Sequence, residues 1–453
     1  MKRILGFLSI VLLIFTVACS GEDSLTGGNS GDTGNTGDSG SGDKTTIKFS
    51  YWGGDTDQAR LEKIRDAFYE EYDDIEIELI NLPEPPEYDQ KQMVMMSSGE
   101  SYDVIQLAES SYAFAARDVL EDLTPYIEED DEIDLDDYYE NVIDAYTHDD
   151  QIFGLPLRVG TMIMLYNKDL FDEHDLDYPN EDWTWDDVIA AGEEITDHDE
   201  GIFGVNPLGG WWASTAQFLF SHDASILNDD FTEFVLDSGN SLEAVELMQK
   251  ITNDYEIAPT EAQIPEGIDM WTSGKQGMII DGPWHIESSR ENVTDFDWDM
   301  TVAPKGTQHA TPIMSNAFHM PKMSENKEEA WEVIKFFTGK EAQEIFAAEQ
   351  GETPTLKEVA ESDIYLDIGD KDPQNFESII EATENAVAPE ASLMWTEINN
   401  EVVQDGLSRI IDLNEPVDEV MPGLRSEVED LLEEAERLQE LFDEGELDAD
   451  LDE

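Results

Sequence analysis

Tryptophan beside bare glycine recurs along this chain: Trp52 before Gly53-Gly54, Trp211-Trp212 after Gly209-Gly210, and Trp284 after Gly282-Pro283. A flat aromatic next to a residue without a side chain gives an approaching ring a face to stack on and nothing to collide with. Acids stand close by: Asp55 after the first pair, Asp281 directly before Gly282, and Glu109 with Tyr112 just past the apolar run Val104-Ile105-Gln106-Leu107. Stacking faces joined to carboxylates that accept from O–H would suit a small molecule with apolar faces and a polar rim. Each aromatic has a second reading as a core side chain beside a turn, and helix capping alone accounts for Asp55. In so acidic a chain a carboxylate signals by position, not by type.

Arg158 stands out because cations are few: 24 Lys and Arg against 107 Asp and Glu. Two roles are open to it. It is either the buried partner of a structural carboxylate or a bidentate contact for the acid group of a uronate. In the Tyr166-Asn167-Lys168 stretch, Asn167 reads as the cap of the next helix, and Tyr166 as packing where segments cross or as a ligand contact.

The elements that must position these residues read as alternating strands and helices. Ile47, Phe49 and Tyr51 alternate with polar neighbours, whereas Leu61, Ile64, Phe68 and Tyr72 recur at helical spacing, which predicts a strand running into a helix at Trp52. Asp55, Thr56 and Asp57 are each competent N-caps there. Further strands are expected at Ile75–Leu79 and Asp103–Leu107, so strand, helix and strand build a parallel sheet with right-handed crossovers. Leu120–Ile127 reads as a helix end broken by Pro125, and Gln151–Phe171 as a chain crossing between domains. Helices are expected over Trp185–Ile195, Leu242–Ile251, Ser324–Thr338 and Glu341–Ala348, with a short strand from Gly277 to Asp281. The sheet edge at the carboxyl ends of such strands is where ligands bind in open α/β folds, and Trp52 falls there.

At 453 residues and 40% hydrophobic composition the chain can fill two cores. Its N-terminus has Lys2 and Arg3, then an apolar run from Ile4 to Ala18, too short for a membrane span and suited to a secretory signal. Cys19 follows directly and is the one cysteine, which excludes an intrachain disulfide. The Val17-Ala18-Cys19 junction resembles a bacterial lipobox, with Thr16 where leucine is usual, so Cys19 is expected to carry lipid. Residues 20–45 read as a flexible acidic Gly/Ser tether. The formal charge of −83 excludes nucleic acid as a partner by repulsion. The acids are dispersed and form no D-x-D-x-D-G loop with a closing Glu, so they read as a solvated surface suited to concentrated salt instead of a calcium site. An extracytoplasmic protein from a salt-loving organism is expected.

Six stretches, in order over roughly residues 46 to 410, resemble the carbohydrate-binding subunits of bacterial ABC importers, the family 1 extracellular solute-binding proteins. They are FSYWGG, YDVIQLAESSY, FGLPLRVGTMIMLYNKDLF, WTWDDVIAAGEEIT, SGKQGMIIDGPW and PKMSENKEEAWEVIKFFTGKEAQ. The resemblance implies an α/β fold of two lobes that close like a clamp about hinge crossings. Lobe 1 is expected over 46–155 and 316–370, lobe 2 over 156–315 and 371–425, and an acidic helical extension over 426–453. It also implies a monomer that binds a sugar or oligosaccharide and hands it to permease subunits, anchored to the membrane through lipid on Cys19. Trp52, Gly53, Glu109, Tyr112, Arg158, Tyr166, Trp211, Trp212, Asp281, Gly282, Trp284, Asn316 and Trp395 are the expected ligand contacts, with Ser315 beside Asn316. The chain has no G-x-x-x-x-G-K-[ST], and neither a cofactor nor a metal is expected. A polyamine or a uronate would fit the same fold. The rival from another class is an extracellular glycosidase, which needs two cleft carboxylates about 5 to 9.5 Å apart.

The charge generates a direct expectation. Self-repulsion is screened as the Debye length falls to about 3 Å at 1 M salt. The melting temperature should therefore rise between low and molar sodium chloride, followed by scanning calorimetry; a flat profile would mean that the acids are already neutralised.

Overall fold

The structure is a computed structural model that describes residues 44–369 and 371–443; Cys19, the tether up to residue 43 and the last ten residues lie outside it. Strand β1 (Thr45–Tyr51) buries Ile47, Phe49 and Tyr51 and runs through Trp52 into α1 (Asp55–Glu71), whose Leu61, Ile64 and Phe68 face the core. Then come β2 (Ile75–Asn81), α2 (Glu87–Ser97), β3 (Val104–Leu107) and, after several short helices, β4 (Gly154–Gly160). The chain now enters a second sheet through β5 (Ile163–Asn167), followed by α3 (Trp185–Ile195), β6 (Phe203–Val205), α4 (Trp212–Ser221), β7 (Gln276–Asp281), α5 (Trp284–Asn292) and β8 (Trp298–Val302). It returns with β9 (Met314–His319), α6 (Lys327–Thr338), α7 (Lys340–Ala347) and β10 (Thr353–Pro354), and later forms α8 (Val417–Asp443).

The first sheet has six strands in the order β10-β4-β9-β3-β1-β2 and the second has four in the order β8-β5-β7-β6. The expected parallel pairing holds for β1 with β2 and β3, but β9 runs antiparallel to β3 and β4, so the sheet is mixed. The reason lies in the connections: β4 and β9 are each one end of a passage between sheets, and a strand that returns from elsewhere need not enter in the same direction. Two of these passages are tied together, since Met162 N donates to Thr311 Oγ1 at 2.8 Å. Thr311–Pro312 also pairs in parallel with Ala386–Val387.

All five residues of β5 are buried, because both faces of its sheet are covered. Met164 and Tyr166 pack into a core shared with α3, α4 and α8, while Ile163 and Leu165 face the opposite core with Trp271 and Trp298. Two expectations need correction. Pro125 lies in the first turn of a helix, Thr124–Glu129, where its missing N–H would find no intrahelical acceptor anyway, so it opens the helix and does not break one. Helix α8 begins at Val417, ahead of the expected extension at 426, because Val420, Met421, Leu424 and Val428 are buried on the body of the protein. Among the described residues no helix is long and apolar enough to cross a membrane.

One contact limits how α3 meets the second sheet. A Cβ built on Gly204 in β6 would lie 2.3 Å from the Gly192 Cα of α3, so backbone meets backbone with no side chain between. Gly204→Ala should therefore force helix and strand apart and cost about 1–3 kcal/mol, read from urea unfolding; unchanged stability would show that this packing yields easily.

Candidate ligand-binding cleft

At the end of β1 the chain turns sharply through Gly53, whose φ of +142° suits glycine, and a Cβ there would lie 2.7 Å from the Asp57 side chain. The helix cap is Gly54, not Asp55, Thr56 or Asp57. Asp57 instead sits in the first turn and accepts from the Gly54 N–H at 3.2 Å, which leaves its other oxygen free for Arg158. Trp52 is held edge-on against buried Tyr88 at 4.8 Å, and the Tyr88 hydroxyl is fixed by Ser50 at 2.8 Å. The first aromatic wall therefore stands on a hydrogen-bonded base beneath the sheet edge.

The second wall comes from the other sheet. Trp211 lies 5.6 Å from Trp284 and 6.5 Å from Trp212, each pair edge to face. Trp284 is 39% exposed and opens α5, with its indole folded back over Gly282, where a Cβ would lie 2.0 Å from the ring. Gly282 thus acts as the seat of Trp284. Between the walls lies a cavity of about 680 Å³ that Trp52, Gly53, Glu109, Arg158, Trp211, Trp212, Trp284 and Asn316 all line, with Ser315 beside them. This is within the range of about 300–1,000 Å³ usual for small-molecule sites.

Five expected contacts fall elsewhere. Tyr166 is buried against Phe171 and Tyr178 at 5.7 and 5.6 Å, because its position in β5 points into the core under α3. Trp395 is likewise a core side chain. The Asp281 carboxylate turns away to His285 at 3.1 Å and to the Gly282 N–H at 2.7 Å, and Gly282 itself is covered by Trp284. Tyr112 packs on His148 at 4.7 Å and lines a separate pocket of about 30 Å³, which shares Glu109 and Ser315 with the cleft. Asn167 caps its helix, accepting from Leu170 N at 3.2 Å.

The electrostatics of the cleft centre on two arginines. Arg158 Nη1 contacts Asp57 at 2.9 Å and Glu352 at 2.8 Å. Arg60, 6% exposed, contacts Glu349 at 3.0 Å, Asp57 at 3.7 Å, and Glu287. Both guanidiniums lie over the Phe346 ring, at 4.9 Å for Arg60 and 5.1 Å for Arg158. An extra residue in β4, Leu157, shifts the register between Asn316 and Ala317 of β9 and brings Asn316 opposite Arg158. Burial pushes the Glu352 carboxyl up even though Arg158 draws it down. Glu109 keeps some exposure, yet desolvation pushes it up to about 7, with Asp89 nearby adding to the shift. Asp89 itself is raised to about 6 by desolvation.

Arg60, Glu287, Glu352 and Glu84 also line the cavity and were not expected there. Beneath Trp52 a chamber of about 20 Å³, room for about one water, receives the side chain of Gln106, whose Nε2 has no hydrogen-bond partner in the protein. For Arg60 the rarity of cations was a usable signal, the same one that singled out Arg158. Among the described residues no cluster of His, Cys, Asp and Glu could hold a metal ion.

The profile of the bacterial extracellular solute-binding protein family matches residues 63–376, and the chain belongs to that family. A Brucella abortus binding protein is 27% identical over 240 residues, and the match spans 58% of its length and 51% of this chain. The arabinooligosaccharide-binding protein of Bacillus subtilis is 23% identical over 358 residues, 75% of this chain and 77% of that one. Among solved structures, an ABC substrate-binding protein from Listeria monocytogenes in complex with cycloalternan superposes with a TM-score of 0.77 at 25% identity, covering 86% of this chain and 99% of that one. Maltose-bound MalE3 of T. maritima superposes at 0.71 with 20% identity, over 85% and 100% of the two chains. The fold is the two-lobed α/β clamp of these proteins.

With its guanidinium engaged by two carboxylates, Arg158 has the geometry of a structural partner. Arg158→Ala should leave Asp57 and Glu352 facing each other and cost about 3–5 kcal/mol in urea unfolding. Full stability in the variant would contradict this.

Proposed function

We propose that this member of the solute-binding family is the extracytoplasmic subunit of an ABC importer, capturing a neutral oligosaccharide between its lobes and passing it to membrane permease subunits without chemical change. The observation that carries the reading is the cavity of about 680 Å³ walled by Trp52 from one sheet and by Trp211, Trp212 and Trp284 from the other. Tryptophans set against each other across a gap suit a ring with two apolar faces, and the lining carboxylates and Asn316 suit its hydroxyl rim. Relatives named for arabino- and galacto-oligosaccharides, and a structural neighbour holding cycloalternan, support this ligand class.

A uronate fits less well, because Arg158 and Arg60 are already engaged by carboxylates of the protein. In this reading lobe 1 is built on the six-stranded sheet and lobe 2 on the four-stranded sheet, so the boundaries expected at 155/156 and 315/316 shift to just after β4 and just before β9. Lipid on Cys19 and the tether hold the clamp outside the membrane, and the binding subunit is a monomer with an acid surface suited to salt. In this reading hydrolysis is not part of its work: the relatives are named as binding proteins, Asp57, Glu287 and Glu352 are bound to arginine, and Glu84 and Glu109 are left to accept from sugar hydroxyls.

Calorimetry against arabino-, galacto- and gluco-oligosaccharides tests the reading. Stacking anchors of this kind cost roughly 2 kcal/mol or more when truncated, so Trp52→Ala or Trp284→Ala should weaken the cognate sugar by about thirtyfold. Unchanged affinity in both variants would remove the aromatic walls from the binding site.

A further inference from the structure

Trp284, Glu287 and Arg290 follow one another at spacings of three on α5 and therefore share a face. Trp284 walls the cleft. Glu287 is bonded to Arg60 Nη2 on α1, and Arg290 donates to the Gln350 carbonyl at 3.0 Å and the Asp372 carbonyl at 2.8 Å. Helix α5 follows β7 of the four-stranded sheet, whereas α1 and the segment around Gln350 adjoin strands of the six-stranded sheet. The helix that carries a ligand-facing tryptophan thus also reaches the other lobe, through Glu287 to Arg60 and through Arg290 to the Gln350 carbonyl.

Arg60 has three carboxylates around it. Asp57 and Glu349 come from its own lobe, and Glu287 comes from the other. If the lobes part, Arg60 remains paired by Asp57 and Glu349 and stays stacked on Phe346, so losing its bond to Glu287 does not leave a buried cation alone. The Glu287 side chain is 33% exposed while that of Arg60 is 7% exposed, so the acid is the half that water can reach and the arginine is the fixed half.

We propose that Glu287 is a releasable latch: its bond to Arg60 holds the lobes in the closed arrangement, and through α5 it couples closure to the position of Trp284. The coupling to ligand rests on the cleft being the sugar site, but the latch itself operates on the empty protein. Raising the open population would lower sugar affinity by the fraction of closed molecules lost.

The test reads the distance between lobes with no sugar present. Spin labels are placed at Glu70→Cys on α1 and Glu243→Cys on the helix Gly239–Asn253, in the full chain with Cys19→Ser, and pulsed electron resonance measures their separation. The parent should give one short distribution. Glu287→Gln should add a longer one and raise the open-to-closed ratio by about tenfold, since loss of one partner of a largely buried pair has effects of this size or more. Glu291→Gln, on the same helix, should leave the distribution of the parent unchanged. Superposable distributions for Glu287→Gln and the parent overturn the proposal, as does a lowered melting temperature with unchanged distances, which would make Glu287 only a structural residue. Failure of every sugar to bind would count against the proposed function and leave this readout intact.

Discussion

Two guanidiniums laid over one phenyl ring hold this cleft together. Arg60 and Arg158 are among the few cations of the chain, and Phe346 gives each an apolar base while Asp57, Glu349, Glu352 and Glu287 supply the charge. A buried ion pair is weak support for stability, because the desolvation of both ions offsets most of their attraction. What it fixes is position. Asp57 links the first turn of α1 to β4, so Gly53, Gly54 and Trp52 cannot drift from the strand ends that form the floor of the cleft. The same cluster reaches α5 through Glu287, and with it the opposite aromatic wall.

Chain topology explains why the cleft lies where it does. Among the described residues the segments after β4 and before β9 join the two sheets, and strand ends with Gly53, Gly54 and Gly351 border the gap beside them. Tryptophan then fills the border from both sides. Each indole has a rigid support: Trp52 rests on Tyr88, and Trp284 rests on Gly282 and Trp211. Supported aromatics lose little conformational entropy on binding, which suits the proposed capture of a flexible, strongly hydrated ligand.

Local pattern was legible where it reports burial. The alternation of Ile47, Phe49 and Tyr51 and the helical spacing of α1 read correctly, because such patterns depend on nearby residues, and of the glycines beside tryptophan Gly53 and Gly54 line the cavity whereas Gly282 is covered by Trp284. Carboxylate function was not legible. Glu287, Glu349 and Glu352 are three acids among 107, and only the approach of distant segments distinguishes them from solvated surface. Tyr166 and Trp395 were misplaced for a related reason: a strand buried on both faces gives no alternation to show which face meets the cleft, and Trp395 lies in an irregular helical stretch with no strand end to orient it. Asp281 and Gly282 stand at the right strand end, but a two-residue turn and the fold of the Trp284 ring remove them from the cavity.

In the proposed function two supported aromatic walls, drawn together by the arginine cluster, enclose an intact sugar. Native mass spectrometry of the folded chain, sprayed after incubation with arabino-, galacto- and gluco-oligosaccharides, tests it most directly. The account predicts a complex of one protein with one uncleaved oligosaccharide from one of these series, with the free sugar unchanged after prolonged incubation. Shortened products in the mixture, or no complex with any of the three series, would contradict it.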